Sequence, residues 1–258
     1  MGKAYLKDLP NIYEYLIENL SKRVTQVINE GFPKVVGSFH SSNSLTLKSI
    51  AICDYIINKD IACMKNRLYN ASISGLKSMQ WYDTQIGLRH ISNSLSLSKF
   101  HLLEFAIISE NTEAIFEVAH ALGGRGKLDS AEIGKETYHL GYALKYIVLD
   151  DYENASNHLE FFSGRDPLNF ITIHADILSA IIAKNSDLVN ECIDKLIIKY
   201  KRLRGHNNTP AEFLCLSAIS LAKLAKMKNL EIHIDHALAP KTIIDSSDVN
   251  YELIDILK

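Results

Sequence analysis

The chain has 258 residues, 47% hydrophobic and 22% charged, and its Lys+Arg 28 against Asp+Glu 30 leave a net charge of −2. With Gly 12, Pro 5 and only 8 each of Val and Thr against 32 Leu and 31 Ile, the composition argues against a sandwich, a barrel or a glycine-rich nucleotide-binding sheet. The balanced charge excludes bulk nucleic-acid binding, and no apolar run approaches the ~18 residues that span a bilayer.

The first periodic segment is Asn11–Glu30, with Ile12, Leu16, Leu20, Val24, Val27 and Ile28 on one stripe. Asn11 after Pro10 suits an N-cap, and Gly31-Phe32-Pro33 ends the run. The Ser/Asn cluster Ser41–Ser44 is expected to open a helix carrying Leu47, Ile50, Ala51 and Ile57. Asn58-Lys59-Asp60 interrupts it, and Ile61, Met64, Leu68 and Ala71 resume the helical spacing. The same unit of helix, short polar break and helix then recurs. Phe100–Ser109 breaks at Glu110-Asn111 before Glu113–Leu122. Tyr138–Leu149 breaks at Asp150-Asp151 before Tyr152–Phe162. Phe170–Ala183 breaks at Asn185-Ser186 before Leu188–Leu203, and Ala211–Lys226 breaks at Lys228-Asn229. Irregular spacing of this kind predicts an all-α fold of stacked antiparallel helical hairpins, tetratricopeptide-like or an irregular α-solenoid, in one domain over 1–258. After Asn229 the run Leu230–Asp235 alternates apolar and polar residues. It is expected to be a short extended segment laid against the last helix.

Little in the chain points to catalysis. His233 and His236 flank Asp235, but tetrahedral zinc needs further ligands at compatible spacing and none is near. Gly123-Gly124-Arg125-Gly126-Lys127 follows a helix rather than a strand, so helix termination is expected instead of a phosphate cradle. Lys199, Lys201, Arg202 and Arg204 close a helix, where cations complement its negative end. No nucleophile elbow frames any serine. The expectation is therefore no enzyme, no cofactor and no metal. The N-terminus lacks an apolar core of signal-peptide length, and Cys53, Cys63, Cys192 and Cys215 show no paired spacing, as for buried reduced thiols in a cytoplasmic protein. Two groups are candidate contact surface: Trp81 with Tyr82, which includes the single tryptophan, and the stripe Tyr138, Tyr142, Tyr146. Both residue types are enriched in interface hot spots, although packing of both groups between hairpins is the more ordinary use of such rings.

Asp151-Tyr152-Glu153-Asn154-Ala155, Leu159 and Asp166-Pro167 together resemble the second helix of a tetratricopeptide repeat. A broader resemblance lies downstream. Pro210–Ala225, then Leu230-Glu231-Ile232-His233-Ile234-Asp235, then Ala239-Pro240 form a Leu/Ala-rich helix, a break, an extended run and a proline-initiated segment. This resembles the ending of the immunity protein forty-nine family, although Asn229 stands where many members have glycine. The resemblance implies a bacterial cytoplasmic protein that binds and blocks a cognate toxin, with no active site of its own. A basic toxin would meet an acidic patch, for which Asp150, Asp151 and Glu153 are the candidates beside Trp81 and Tyr82. The alternative is a tetratricopeptide-like adaptor that takes a peptide in a helical groove. Oligomeric state is left open.

Overall fold

A computed structural model describes residues 3–85, 100–126, 129, 134–204, 209–246 and 249–258, with side chains described from residue 8 onward except that of Arg204. The described chain is helical: α1 (Lys3–Glu30), α2 (Val36–Asn58), α3 (Ile61–Asp83), α4 (His101–Ser109), α5 (Thr112–Ala121), α6 (Lys135–Val148), α7 (Tyr152–Leu159), α8 (Phe170–Ile182), α9 (Ser186–Arg204), α10 (Leu216–Met227) and α11 (Lys241–Ile244). Single 3-10 turns lie at Glu160–Phe162, Pro210–Glu212 and Asp255–Leu257. Among the described residues there is no strand, and no helix is long and apolar enough to cross a membrane.

Hairpins are the unit of construction, as the polar breaks imply. Four of them share one design. A non-glycine residue in the left-handed conformation ends the first helix: Lys59 (φ +57°), Glu110 (+64°), Asp150 (+60°) and Lys184 (+55°). The next residue is Asp or Asn and caps the following helix by accepting a backbone N–H: Asp60 from Cys63 (2.9 Å), Asn111 from Ala114 (2.8 Å), Asp151 from Asn154 (3.2 Å) and Asn185 from Leu188 (3.0 Å). Such a cap satisfies a helix N–H that otherwise has no partner. Asn229 (φ +63°) ends α10 in the same way, but an extended segment follows it.

Adjacent hairpins pack in chain order, α2/α3 against α4/α5 and α6/α7 against α8, and then α10 returns to pack on α4. Nothing about hairpin spacing announces that return. It makes α4 the central helix, with every residue from Leu102 to Ser109 buried; a helix apolar on all sides belongs in a core. One apolar cluster runs from Leu9 to Leu257.

The α2–α3 pair is held by small polar residues. Ser78 donates to the Gly37 carbonyl (2.8 Å), Ser74 to that of His40 (2.8 Å), and Ser44 to that of Ala71 (2.7 Å). Short hydroxyl side chains let the backbones approach and bridge the gap that remains. This corrects the expected start of α2, since the Ser41–Ser44 cluster lies inside a helix that begins at Val36, and Asn43 and Ser44 are buried. The start of α1 also differs, because the helix runs back through Pro10 to Lys3 rather than being capped by Asn11. Leu9, 1% exposed, explains the extension: α1 meets the turn Asp255–Leu257, and burial there outweighs the hydrogen bond that Pro10 cannot donate. Downstream, Ala211 belongs to the 3-10 turn and α10 begins only at Leu216. Tyr200 binds the carbonyls of Ala211 and Leu214, and the Cys215 N–H goes to the Leu238 carbonyl (2.7 Å), so that backbone is committed outside a helix.

Two extended segments are fastened by asparagine amides. Asn190 on α9 donates to the Glu231 carbonyl (3.0 Å) and accepts from the His233 N–H (2.8 Å). Asn70 on α3 donates to the Glu252 carbonyl (2.8 Å) and accepts from the Ile254 N–H (2.9 Å). Each amide thus pairs with a carbonyl and the N–H two residues on, as a neighbouring strand would. The alternation in 230–235 follows, with Leu230 and Ile234 buried and Glu231, His233 and Asp235 exposed. The segment starts on α10, where the Leu230 N–H donates to the Ala225 carbonyl (3.0 Å), and is fastened along its length to α9 as well. The cysteines divide: Cys53, Cys192 and Cys215 are buried, whereas Cys63 is exposed in the first turn of α3.

The closure onto α4 depends on charge. Glu110 ends α4 and takes two buried lysines on its Oε2, Lys65 from α3 and Lys223 from α10 (2.9 Å), the lysines being 0% and 1% exposed. Burial pulls Lys223 down to about 8, and Glu110 opposes that shift. Removing one member of such a group strands a buried charge. We expect Glu110→Gly to destabilise the protein by about 3–5 kcal/mol even though glycine relieves the left-handed backbone. Lys59→Gly, at an exposed turn of the same shape, should change stability by less than about 1 kcal/mol. Equal effects in urea titration would refute the electrostatic reading. At Gly75, an added Cβ runs into the side chain of Leu102. Gly75→Ala should therefore cost about 1–2 kcal/mol despite alanine's better helix propensity, and a variant that gains stability would show that α4 can shift.

Candidate functional site

Trp81 and Tyr82 lie at the end of α3, over the start of α2. A Cβ at Gly37 would come within 2.5 Å of Trp81 Cε3 and 2.7 Å of Tyr82 Cε2, so glycine alone admits both rings. Tyr82 is buried, with its hydroxyl 2.9 Å from Ser38 Oγ. Trp81 stays half-buried. The end of α1 and the turn after it expose Ile28 (63%), Phe32 (47%) and Val35 (44%) within eight residues. Phe32 stands edge-on to Phe39 at 5.6 Å and leans on His40 at 5.4 Å. His40 is 3% exposed, its Nδ1 has no partner, and burial pulls it down to about 4. Arg125 closes the far side of α3: its guanidinium binds both oxygens of Asp83 at 2.6 and 2.5 Å. Exposed Phe32 and Val35 thus lie in the turn that leads to Gly37, against which the half-buried Trp81 packs. Large apolar side chains grouped on a surface mark contact sites more than scattered ones do.

The acidic candidates lie elsewhere, at the α6–α7 turn, and much of their charge is used inside the fold. Asp150 Oδ1 accepts from Lys228 Nζ at 2.5 Å and from the Tyr152 hydroxyl at 2.7 Å. These bonds, that of Lys228 first, hold its carboxyl below the usual range. Asp151 is the cap of α7. Glu153 is exposed in the first turn of the same helix. Lys184, from the α8–α9 turn, donates to the Lys228 carbonyl (2.9 Å), so the 150, 184 and 228 turns are tied together. Trp81 thus lies at the end of α3 and Asp150 in the turn after α6.

The Tyr138, Tyr142, Tyr146 stripe faces inward. It packs on His158 of α7, whose ring stacks on Tyr142 at 4.9 Å and on Tyr146 at 5.8 Å. His158 Nδ1 lies 3.2 Å from His139 Nδ1, and burial, then His139, pulls His158 down to about 4. The Tyr142 hydroxyl accepts the Gly124 N–H at 2.8 Å. Gly123 has φ +69°, so the glycine run does end α5. Its polar partners are Asp83, Asp129 and Tyr142. Among the described residues, no three His, Cys, Asp or Glu are grouped to hold a metal. His233 and His236 are both exposed.

One polar position inside the fold was not read from the sequence. Glu104, on α4, is 5% exposed; burial pushes it up to about 7, and a hydrogen bond from Ser217 opposes the shift. The only sequence signal is a carboxylate inside the apolar run His101–Ile108. It lines a cavity of about 330 Å³ between α2, α4, α8 and α10. Comparison of the chain with protein-family models, with curated proteins and with solved structures gives no match.

The folded protein keeps the Glu104 proton between about 4.5, the ordinary value, and about 7, whereas the unfolded chain loses it. Stability therefore falls as pH rises through that window, by at most about 3 kcal/mol. Glu104→Gln should remove this slope. Relative to the unchanged protein it should gain about 3 kcal/mol on going from pH 4 to pH 8, read from urea titrations at each pH. A difference that does not vary with pH would show that the carboxyl is not held protonated.

Proposed function

We propose that the chain is an immunity protein, acting in the bacterial cytoplasm, that binds and neutralises a cognate toxin by direct protein–protein contact. The observation that carries this reading is the apolar exposure around the α1–α2 turn, Ile28, Phe32 and Val35, with Trp81 held against Gly37 two residues beyond Val35; it offers aromatic anchors of the kind that dominate interface energetics. The likeness of the Pro210–Pro240 stretch to the immunity protein forty-nine family supports the same reading and supplies the toxin as partner. A protein of this kind works as a surface. It needs rigidity and complementarity, and the ties beside Trp81, Tyr82 to Ser38 and Arg125 to Asp83, fix the end of α3 before any partner arrives. Preorganisation of that sort lowers the entropy that binding costs. Glu153 and the Asp150 turn supply negative charge at a second place, suited to steering a basic partner rather than anchoring it.

The test is co-expression with the product of the adjacent toxin gene, followed by affinity measurement on the purified pair. Protection from growth arrest is expected. Trp81→Ala and Phe32→Ala should each weaken binding tenfold or more, about 1.4 kcal/mol, with circular dichroism showing that each variant still folds. Asp150→Lys should slow association and blunt its salt dependence. Undiminished growth arrest would refute the toxin assignment. Capture of an extended peptide in a groove between hairpins would favour a tetratricopeptide-like adaptor instead.

A further inference from the structure

The cavity between α2, α4, α8 and α10 is built differently from the rest of the core. Its walls include Phe100, Phe105, Phe170 and Leu140, and Glu104, His174 and Ser217 also line it. At roughly 30 Å³ per water-sized atom, its 330 Å³ holds about ten non-hydrogen atoms. That is the lower end of the range for small-molecule sites.

Two polar groups deep on its wall, His174 and Glu104, favour a donor. His174, 4% exposed, approaches the Phe170 carbonyl through Nδ1 at 2.8 Å. A carbonyl only accepts, so Nδ1 carries the proton and Nε2 is left as an acceptor. Burial keeps the ring neutral, pulled down to about 4. The carboxyl of Glu104 is the second acceptor. Its situation is the reverse of Glu110, which has two ammonium groups on one oxygen. Among the described residues, no lysine, arginine or histidine nitrogen forms an ion pair with Glu104, and burial and Ser217 alone account for its shift. Lys48 and His101 also line the cavity, Lys48 being half-buried; neither contributes to the Glu104 shift. The three phenylalanine rings add faces that attract a cation.

We propose that this cavity binds a small primary amine bearing an aromatic or branched apolar group, its ammonium on the Glu104 carboxylate and its apolar body against Phe100, Phe105 and Phe170. The ammonium supplies the opposite charge that the fold withholds from Glu104, and the rings supply the surface that the body buries. Its lining does not include Trp81, and none of it rests on the toxin reading.

Calorimetric titration of the whole protein at pH 8 with 2-phenylethylamine, 2-phenylethanol and phenylacetate tests the idea. The amine should bind at least tenfold more tightly than the alcohol, and phenylacetate should bind most weakly. Glu104→Gln, checked for folding by circular dichroism, should lose at least tenfold in amine affinity while its affinity for the alcohol is unchanged. An alcohol that matches the amine, or an amine that gives no heat at millimolar concentration, overturns the proposal using the unaltered protein alone. Preferential binding of phenylacetate would assign the cavity to Lys48 and His101 and overturn it as well.

Discussion

One carboxylate holds this fold closed. Glu110 sits where α4 ends and binds a lysine from the hairpin before it and another from the last long helix. Without it, α3 and α10 would bring two ammonium groups together in the core with one neighbour fewer to neutralise them. The apolar surface of α4 drives the helices together. It says little about which helix covers which side, because Leu and Ile side chains are interchangeable at this level of pattern. The shared carboxylate adds direction. It admits α10 only in the register that brings Lys223 to Glu110, and it couples the ends of a stack whose other contacts run mostly between neighbours. A buried ion group of this kind is weak support for stability and better suited to specifying an arrangement.

The same logic explains the economy in glycine. A helix commonly stops on a left-handed residue, and glycine does this at least strain. Here four turns use lysine, glutamate or aspartate instead, accepting roughly 1–2 kcal/mol of backbone strain at each. At three of them the side chain reaches a neighbouring hairpin. Glu110 goes to Lys65 and Lys223, Asp150 to Lys228, and Lys184 to the Lys228 carbonyl. A glycine there would end the helix and connect nothing. The polar breaks are thus fasteners between layers as well as gaps between helices.

Much of the architecture can be read along the chain because hairpins are local. Polar pairs such as Glu110-Asn111 and Asp150-Asp151 announce a stop and a start within two residues, and the apolar stripes between them have the helical period. What escapes is long-range. Lys65, Glu110 and Lys223 are unremarkable charges until folding brings them together, and nothing near Ala211 says that Tyr200 draws its carbonyl out of a helix. The Ser41–Ser44 cluster reads as a helix start because serine competes for backbone hydrogen bonds; its interior role needs α3 opposite. For the candidate surface, Trp81 is legible as an unusual aromatic. Phe32 and Val35 look like helix-ending residues, and their exposure depends on how α1 leaves the core. Asp150 is legible as a charge but not as one already paired. Glu104 is hidden for a physical reason: a lone carboxylate in an apolar helix reads as a solvent-facing position when the helix is assumed to have a wet side.

The asparagine amides that fasten 230–235 and 250–254 have a further consequence for how the molecule opens. Along α9 and α3 both segments are held by side chains, so those two helices keep their own backbone pairing whether the segments are docked or not. Lifting 250–254 from α3 releases the Asn70 pair, the Glu252 N–H bond to Asn66 and the Tyr251 contact with the Ser109 carbonyl, but breaks no helix. Such a segment can detach as its own cooperative unit, at lower free energy than global unfolding. Its amide protons would then exchange with solvent while those of α3 stay protected, so that stability in this protein is graded from the clasped segments inward to α4.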